Sequence, residues 1–185
     1  MTKIDKAIKF AADAHSGQKR KLGGAPYILH PLEAAAIAAR LTSDEDVMCA
    51  AVLHDAVEDT AVTVETIRRE FGDRVADLVS AETENKREDL PPEITWRIRK
   101  EETIEHLMTV KDKDVKILWL ADKLSNMRSI VNAYLKIGDA LWEKFHQKDK
   151  KMHEWYYRSV EKALESDFGN TQEFLEYRNL LNLIF

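Results

Sequence analysis

One cysteine, four prolines and six glycines are all the usual punctuation that 185 residues contain. The lone thiol, Cys49, cannot close an intrachain disulfide, which excludes the stapled secreted folds and leaves a reducing, cytoplasmic setting as the expectation. Ten Gly plus Pro is roughly half the usual share of about 12%, too few for an all-β fold of tight turns, a collagen or a flexible linker. No ~18 uncharged apolar residues run together, and the first fifteen residues scatter charge among apolar positions, so neither a membrane span nor a signal peptide is expected. A net charge of −5 gives no general attraction to nucleic acid or anionic membranes, while leaving room for a local basic pocket. What is present, 44% apolar and 33% charged residues, predicts one all-α domain over 1–185 with a sizeable core.

Five of the ten Gly and Pro residues fall in GQKRKLGGAPYILHP, residues 17 to 31, which reads as a loop inside the domain. Before it, Ile4, Ile8, Ala11 and His15 keep helical spacing. After it, Pro31 is placed to open a helix carrying Leu32, Ala35, Ala36 and Ala39 inward. Further helices are predicted over about 45 to 57, 63 to 71 with Thr63 as N-cap and Gly72 as stop, and 73 to 82. The charged stretch ETENKREDLPPE predicts a surface loop beside the site. A helix on Trp96, Arg99, Thr103 and Leu107, an apolar one over 115 to 131, and two C-terminal helices over 139 to 166 and 171 to 184 complete the chain. The apolar surplus around Trp142, Phe145, Phe174 and Leu180 to Phe185 serves either the core or a homo-oligomer contact.

Chemistry concentrates in AAVLHDAVEDT, residues 50 to 60. On a helix His54 and Glu58 are four apart, as are Asp55 and Asp59, so four ionisable groups share one wall. Three carboxylates buried together cost several kcal/mol unless a cation compensates them, and one divalent metal serves several at once. The alternative is a solvated acidic helix end in which His54 and Asp55 merely pair. His30, pinned between the loop and the proline, is a rigid ligand candidate, although a helix cap or a satisfied core histidine is the alternative. Asp122 interrupts the apolar run ILWLADKLSNM and needs a partner; neighbouring Lys123 is disfavoured, because adjacent helical positions point about 100° apart. His30, His54, Asp55 and Asp122 together make a two-imidazole, two-carboxylate set suited to Mn, Fe(II), Zn or Mg. Glu58 and Asp59, one turn on, are candidates for holding and deprotonating a water activated by that metal. No phosphate loop, serine elbow or Cys–His pair offers another nucleophile.

The H…HD…D pattern resembles the HD-domain metal-dependent phosphohydrolases. More narrowly, AHSGQKRKLGGAPYILHP, LHDAVEDT, the EFG turn at Glu70 to Gly72 and LADKLSNMR, in that order over about residues 5 to 131, resemble the hydrolase domain of RelA/SpoT proteins. The resemblance implies an all-helical fold that removes the 3′-pyrophosphate of guanosine tetra- and pentaphosphate, (p)ppGpp, with Mn²⁺. At this length the chain is expected to match the small alarmone hydrolases, of the metazoan SpoT homolog type. Carried over by motif, His30, His54, Asp55 and Asp122 hold the metal and Glu58 and Asp59 handle water. Arg20, Lys21 and Asn126 reach the nucleotide, and Lys151 with Trp155 on a late helix is the best placement for a basic–aromatic pair. For that last pair, a solvated lysine and a core tryptophan is the alternative. Ser125 stands where relatives often carry His or Tyr, and AETENKRED with Trp96 also departs from the pattern; Lys86, Arg97 and Arg99 there are either phosphate contacts or a solvated charged loop. Other expectations for the same site are removal of the 2′-phosphate of NADPH and a module that binds nucleotide without cleaving it.

Overall fold

A computed structural model describes residues 1–87 and 89–185. Among them are nine α-helices and no strand beyond a single antiparallel bridge, Lys19 to Pro26, which pinches the Gly/Pro loop shut. The helices are α1 Lys3–Ala14, α2 Leu29–Leu41, α3 Glu45–Asp59, α4 Val64–Phe71, α5 Asp73–Glu82, α6 Pro92–Thr109, α7 Lys113–Ile137, α8 Lys150–Phe168 and α9 Gln172–Ile184. Short polar side chains start most of them by accepting first-turn N–H groups: Thr2 on Asp5, Asp44 on Asp46, Thr63 on Thr66, Asp112 on Asp114 and Thr171 on Phe174. Each such cap contributes about 1 kcal/mol. Gly72, at φ 91°, ends α4 in a conformation that a side chain would strain.

The apolar α7 forms the axis, packing against α2, α3, α5, α8 and α9. Leu118, Leu120, Leu124 and Met127 are fully buried there, each stabilising the fold by about 1.5–3 kcal/mol. One core cluster runs from Ala7 to Ile184, and α3 is clamped within it between α1, α2 and α5. The structure therefore places α2, α3 and α7 side by side, the three helices that carry the candidate ligands. Among the described residues, no helix is long and apolar enough to cross a membrane.

Three expectations change. Pro31 does not open α2, which starts two residues earlier at Leu29; Pro31 sits in the first turn, where its missing N–H has no carbonyl to meet. The predicted helix over 139 to 166 is interrupted. Gly138, at φ 58°, closes α7, Gly138–Lys144 forms a 3-10 turn, and α8 begins only after Asp149, whose carboxylate caps it. Trp142 and Phe174 are buried within the chain and thus belong to the core. The loop expected over 82 to 93 contracts to 83 to 91, since Glu82 ends α5 and Pro92 begins α6; Glu88 lies outside the described residues.

Candidate metal centre and adjoining cleft

His30 from the first turn of α2, His54 and Asp55 from α3, and Asp122 from the middle of α7 converge. Nε2 of His30 lies 3.4 Å from Asp55 Oδ2 and 3.0 Å from Asp122 Oδ1, and Nε2 of His54 lies 3.2 and 3.6 Å from the same two oxygens. Imidazole and carboxylate thus alternate around one centre. The other ring nitrogens fix which atom faces inward. His54 Nδ1 lies 2.8 Å from the Ala51 carbonyl, which only a protonated Nδ1 can serve. Ser125 donates its one hydroxyl hydrogen to Glu33 Oε2 at 2.7 Å, so His30 Nδ1, 2.8 Å from the same hydroxyl, must be the donor to it. In the neutral rings both Nε2 atoms then carry lone pairs toward the centre.

Without a cation the surrounding carboxylates favour a proton on His54 instead: burial lowers its pKa, but Asp55, Glu82 and Asp122 outweigh that and hold it well above the usual histidine value. Burial likewise raises the Asp55 and Asp122 carboxyls, yet the imidazoles, and for Asp122 first the Lys123 ammonium, bring both below the usual carboxylate range. Nε2 of the buried His54 nevertheless lacks a hydrogen-bond partner among the described residues. Two inward lone pairs, two carboxylates and an unsatisfied buried nitrogen fit a divalent cation.

Lys123 corrects the expectation that it would not meet Asp122. Its ammonium bonds to Asp122 Oδ2, because the four-carbon stem folds back across the Trp119 ring, with Nζ 4.4 Å from the ring centre. Helical divergence governs Cβ directions, not the reach of a long flexible side chain.

Glu58 and Asp59 flank the centre in a polar cleft of 170 Å³ that also exposes Arg20 and Asn126. Burial first, then Glu84 and Asp55, push the Glu58 carboxyl up to about 7, with Lys86 opposing. Asp59 is fixed from two sides, by the Lys86 ammonium and by the Tyr27 hydroxyl at 2.6 Å; that hydroxyl is also 2.8 Å from Asp55 and shares its proton between the two carboxylates. Tyr27 stacks on His15, whose Nδ1 meets Gln18, and Gln18 holds the Asp59 carbonyl. Tyr27 escaped the sequence reading, although its position three residues before His30 was the available signal. Arg20 bonds Asn126, and Asn126 in turn donates to Asp122 Oδ1 at 2.6 Å. Arg20 and His30 also line a neighbouring cavity of 470 Å³ with Lys21, Leu29 and Asn132.

The remaining basic groups either lie away from the cleft or line it already paired. Lys151 is exposed on the first turn of α8 and Trp155 lies under the Arg97 guanidinium, 4.2 Å from ring centre to Cζ; neither lines the cleft or the larger cavity. Arg99 and Lys100 converge on Glu84 instead of standing free, and Thr103 donates to the same carboxylate; burial raises that carboxyl, yet Lys100, Lys123 and Arg99 bring it below its usual range.

Residues 7–145 match the family model described as HD domain. The chain belongs to the HD-domain family. Curated relatives include a guanosine-3′,5′-bis(diphosphate) 3′-pyrophosphohydrolase of Aquifex aeolicus, 39% identical over 129 residues, and a probable GTP pyrophosphokinase of Mycobacterium leprae, 38% identical over 129 residues. These alignments cover 69% of this chain but only 18% and 16% of those proteins, so the chain spans under a fifth of their length. Among solved structures, lmo0812 of Listeria monocytogenes is 39% identical, with a TM-score of 0.72 over 86% of this chain and 98% of that one. A metazoan ortholog of SpoT, described as hydrolysing ppGpp and acting in starvation responses, superimposes with a TM-score of 0.81 at 26% identity, over 99% of this chain and 96% of the other. In this HD-domain chain the ligand atoms of His30, His54 and Asp122 lie within 4.8 Å of one another, as a divalent-cation site requires.

Proposed function

We propose that this HD-domain protein is a Mn²⁺-dependent cytoplasmic hydrolase that cleaves the 3′-pyrophosphate from (p)ppGpp, adding water and leaving GDP or GTP and pyrophosphate, with residues 1–185 acting as one hydrolase unit. The observation that carries the reading is an acidic pair beside the four-residue set, in a cleft that shares Arg20 and His30 with a cavity large enough for a nucleoside. The names of the Aquifex relative and the SpoT ortholog support the substrate. His30, His54, Asp55 and Asp122 would hold the cation. When bound, it supplies Lewis acidity to a phosphoryl oxygen and lowers the pKa of water.

The chain's own residues supply the rest. Glu58, with a carboxyl near 7, is matched to accept the proton of the attacking water at neutral pH. Asp59, locked by Tyr27 and Lys86, orients that water. Arg20 and Lys21 line the mouth between cleft and cavity and offset phosphate charge, with Asn126 aligning Arg20. Lys151 and Trp155 stay outside this assignment, because their helix face does not reach the cleft.

Purified protein incubated with Mn²⁺ and a panel of ppGpp, pppGpp, NADPH and nucleoside monophosphates, with products separated by chromatography, tests this. Pyrophosphate release from (p)ppGpp is expected, and it should vanish on chelation and in Asp55→Ala. Near-full turnover after either treatment overturns the mechanism, and phosphate release from NADPH alone overturns the substrate.

A further inference from the structure

Glu82, the last residue of α5, is 6% exposed and faces the metal centre, lining the same cleft as His54, Asp55 and Asp122. Neither of its carboxylate oxygens has a hydrogen-bond partner among the described residues. Its situation is unfavourable on three further counts. It sits at the negative end of a helix. Two carboxylates, Asp122 and Asp55, act on it, and of the two cationic groups bearing on it, His54 is itself a candidate ligand of the centre and Lys123 is already bonded to Asp122. A protonated Glu82 would fare no better, since a buried carboxylic acid also needs an acceptor for its hydrogen.

The chain's own charges explain why such a group persists. With neutral imidazoles, Asp55, Asp122 and Glu82 against Lys123 leave a buried excess of two negative charges, the charge of one divalent cation. Without Glu82 the centre would bind its cation as an unbalanced, net positive cluster.

We propose that Glu82 is the third carboxylate of the cation centre, a positioning residue that supplies the charge balancing Lys123 and thereby sets divalent-cation affinity. The inference rests on the divalent-cation reading of the centre. Calorimetric titration of the EDTA-stripped 185-residue protein with MnCl₂, together with thermal melts with and without Mn²⁺, tests it in Glu82→Gln and Glu82→Leu. Both variants should bind Mn²⁺ about 10- to 100-fold more weakly, the loss typical of groups supporting a metal site. Their metal-free melting temperatures should equal or exceed that of the unmodified chain, since an unpartnered buried charge is removed. Affinity within twofold in a normally melting variant overturns the proposal. So does a metal-free melting temperature well below that of the parent, which would give Glu82 a purely structural role. Absence of Mn²⁺ binding by the parent chain would instead remove the cation reading itself, and this inference with it.

Discussion

Replacing Ser125 by alanine deletes one hydroxyl, yet should weaken a cation site that this side chain does not touch. Ser125 is fully buried, donates to Glu33 Oε2 and accepts from His30 Nδ1. The donation spends its hydrogen, which forces the proton of His30 onto Nδ1 and leaves Nε2 as the inward lone pair. In Ser125→Ala the buried Nδ1–H loses its acceptor, at a cost of about 1–3 kcal/mol, and the ring is free to change tautomer. Such supporting contacts typically carry about 10- to 100-fold in metal affinity, or ~1.4–2.8 kcal/mol. For a chain of this size each kcal/mol moves the melting temperature by about 2–4 °C. Manganese titration by calorimetry on EDTA-stripped protein should therefore show affinity down at least tenfold, with the metal-free melt lowered by several degrees. An S125A protein that binds Mn²⁺ within twofold of the parent would refute the claim that this hydroxyl sets the tautomer.

Turnover should climb with pH to half its maximum near 7, because Glu58 accepts a proton only when ionised; Glu58→Gln should abolish the limb in a pH–rate profile. Its folded pKa lies above the ordinary value of 4.5, so in metal-free protein Glu58 adds stability that is full below pH 4.5 and lost as pH rises through about 7, worth ~3 kcal/mol. Denaturant titrations at pH 5 and 8 should accordingly show a larger pH-dependent loss in the parent than in E58Q, and equal losses would contradict the assignment. Tyr27→Phe removes the hydroxyl that fixes Asp55 to Asp59, and kcat should drop about tenfold or more with little change in KM. Lys123→Met strands the buried Asp122 and should destabilise metal-free protein by roughly 3–5 kcal/mol, with saturating Mn²⁺ restoring more stability than it gives the parent.

The helices were readable wherever local signals decide them. Thr63 and Gly72 bracket α4 because an N-cap and a positive-φ stop are properties of a few consecutive residues. The site was readable for a related reason: a buried charge in an apolar helix, such as Asp122, is conspicuous without knowing its partner. Partners across helices were not readable. That Ser125 bridges Glu33 and His30 depends on how α2 docks on α7, and that Glu82 lines the same cleft as His54 depends on how α5 docks on α3. The reading over 139 to 166 failed because Leu141, Trp142 and Phe145 keep apolar spacing while the backbone winds as a 3-10 turn to Lys144 and is not helical again until Lys150, a difference that periodicity does not register.

Counting which acidic groups are already compensated shows where the cleft still needs positive charge. Asp59 has Lys86 and Tyr27, Glu84 has Arg99 and Lys100, and one oxygen of Asp122 has Lys123. Asp55 and Glu82, which line the same cleft, have no ammonium or guanidinium bonded to them among the described residues. The other wall cations are thus committed to carboxylates, so under the proposed function a polyphosphate in the cleft would find uncommitted positive charge in two places: at a cation held by the His30 set, and at Arg20, which lines both spaces, with Lys21 beyond it in the larger cavity. That division orients a substrate bearing phosphates at both ends of a ribose. Under the proposed function, the group to be cleaved would lie toward the candidate cation site beside Glu58 and Asp59, and the nucleoside would lie past Arg20 in the 470 Å³ space. A ligand with one isolated phosphate can satisfy only one of the two charges, which is the physical basis for expecting a preference for doubly phosphorylated nucleotides.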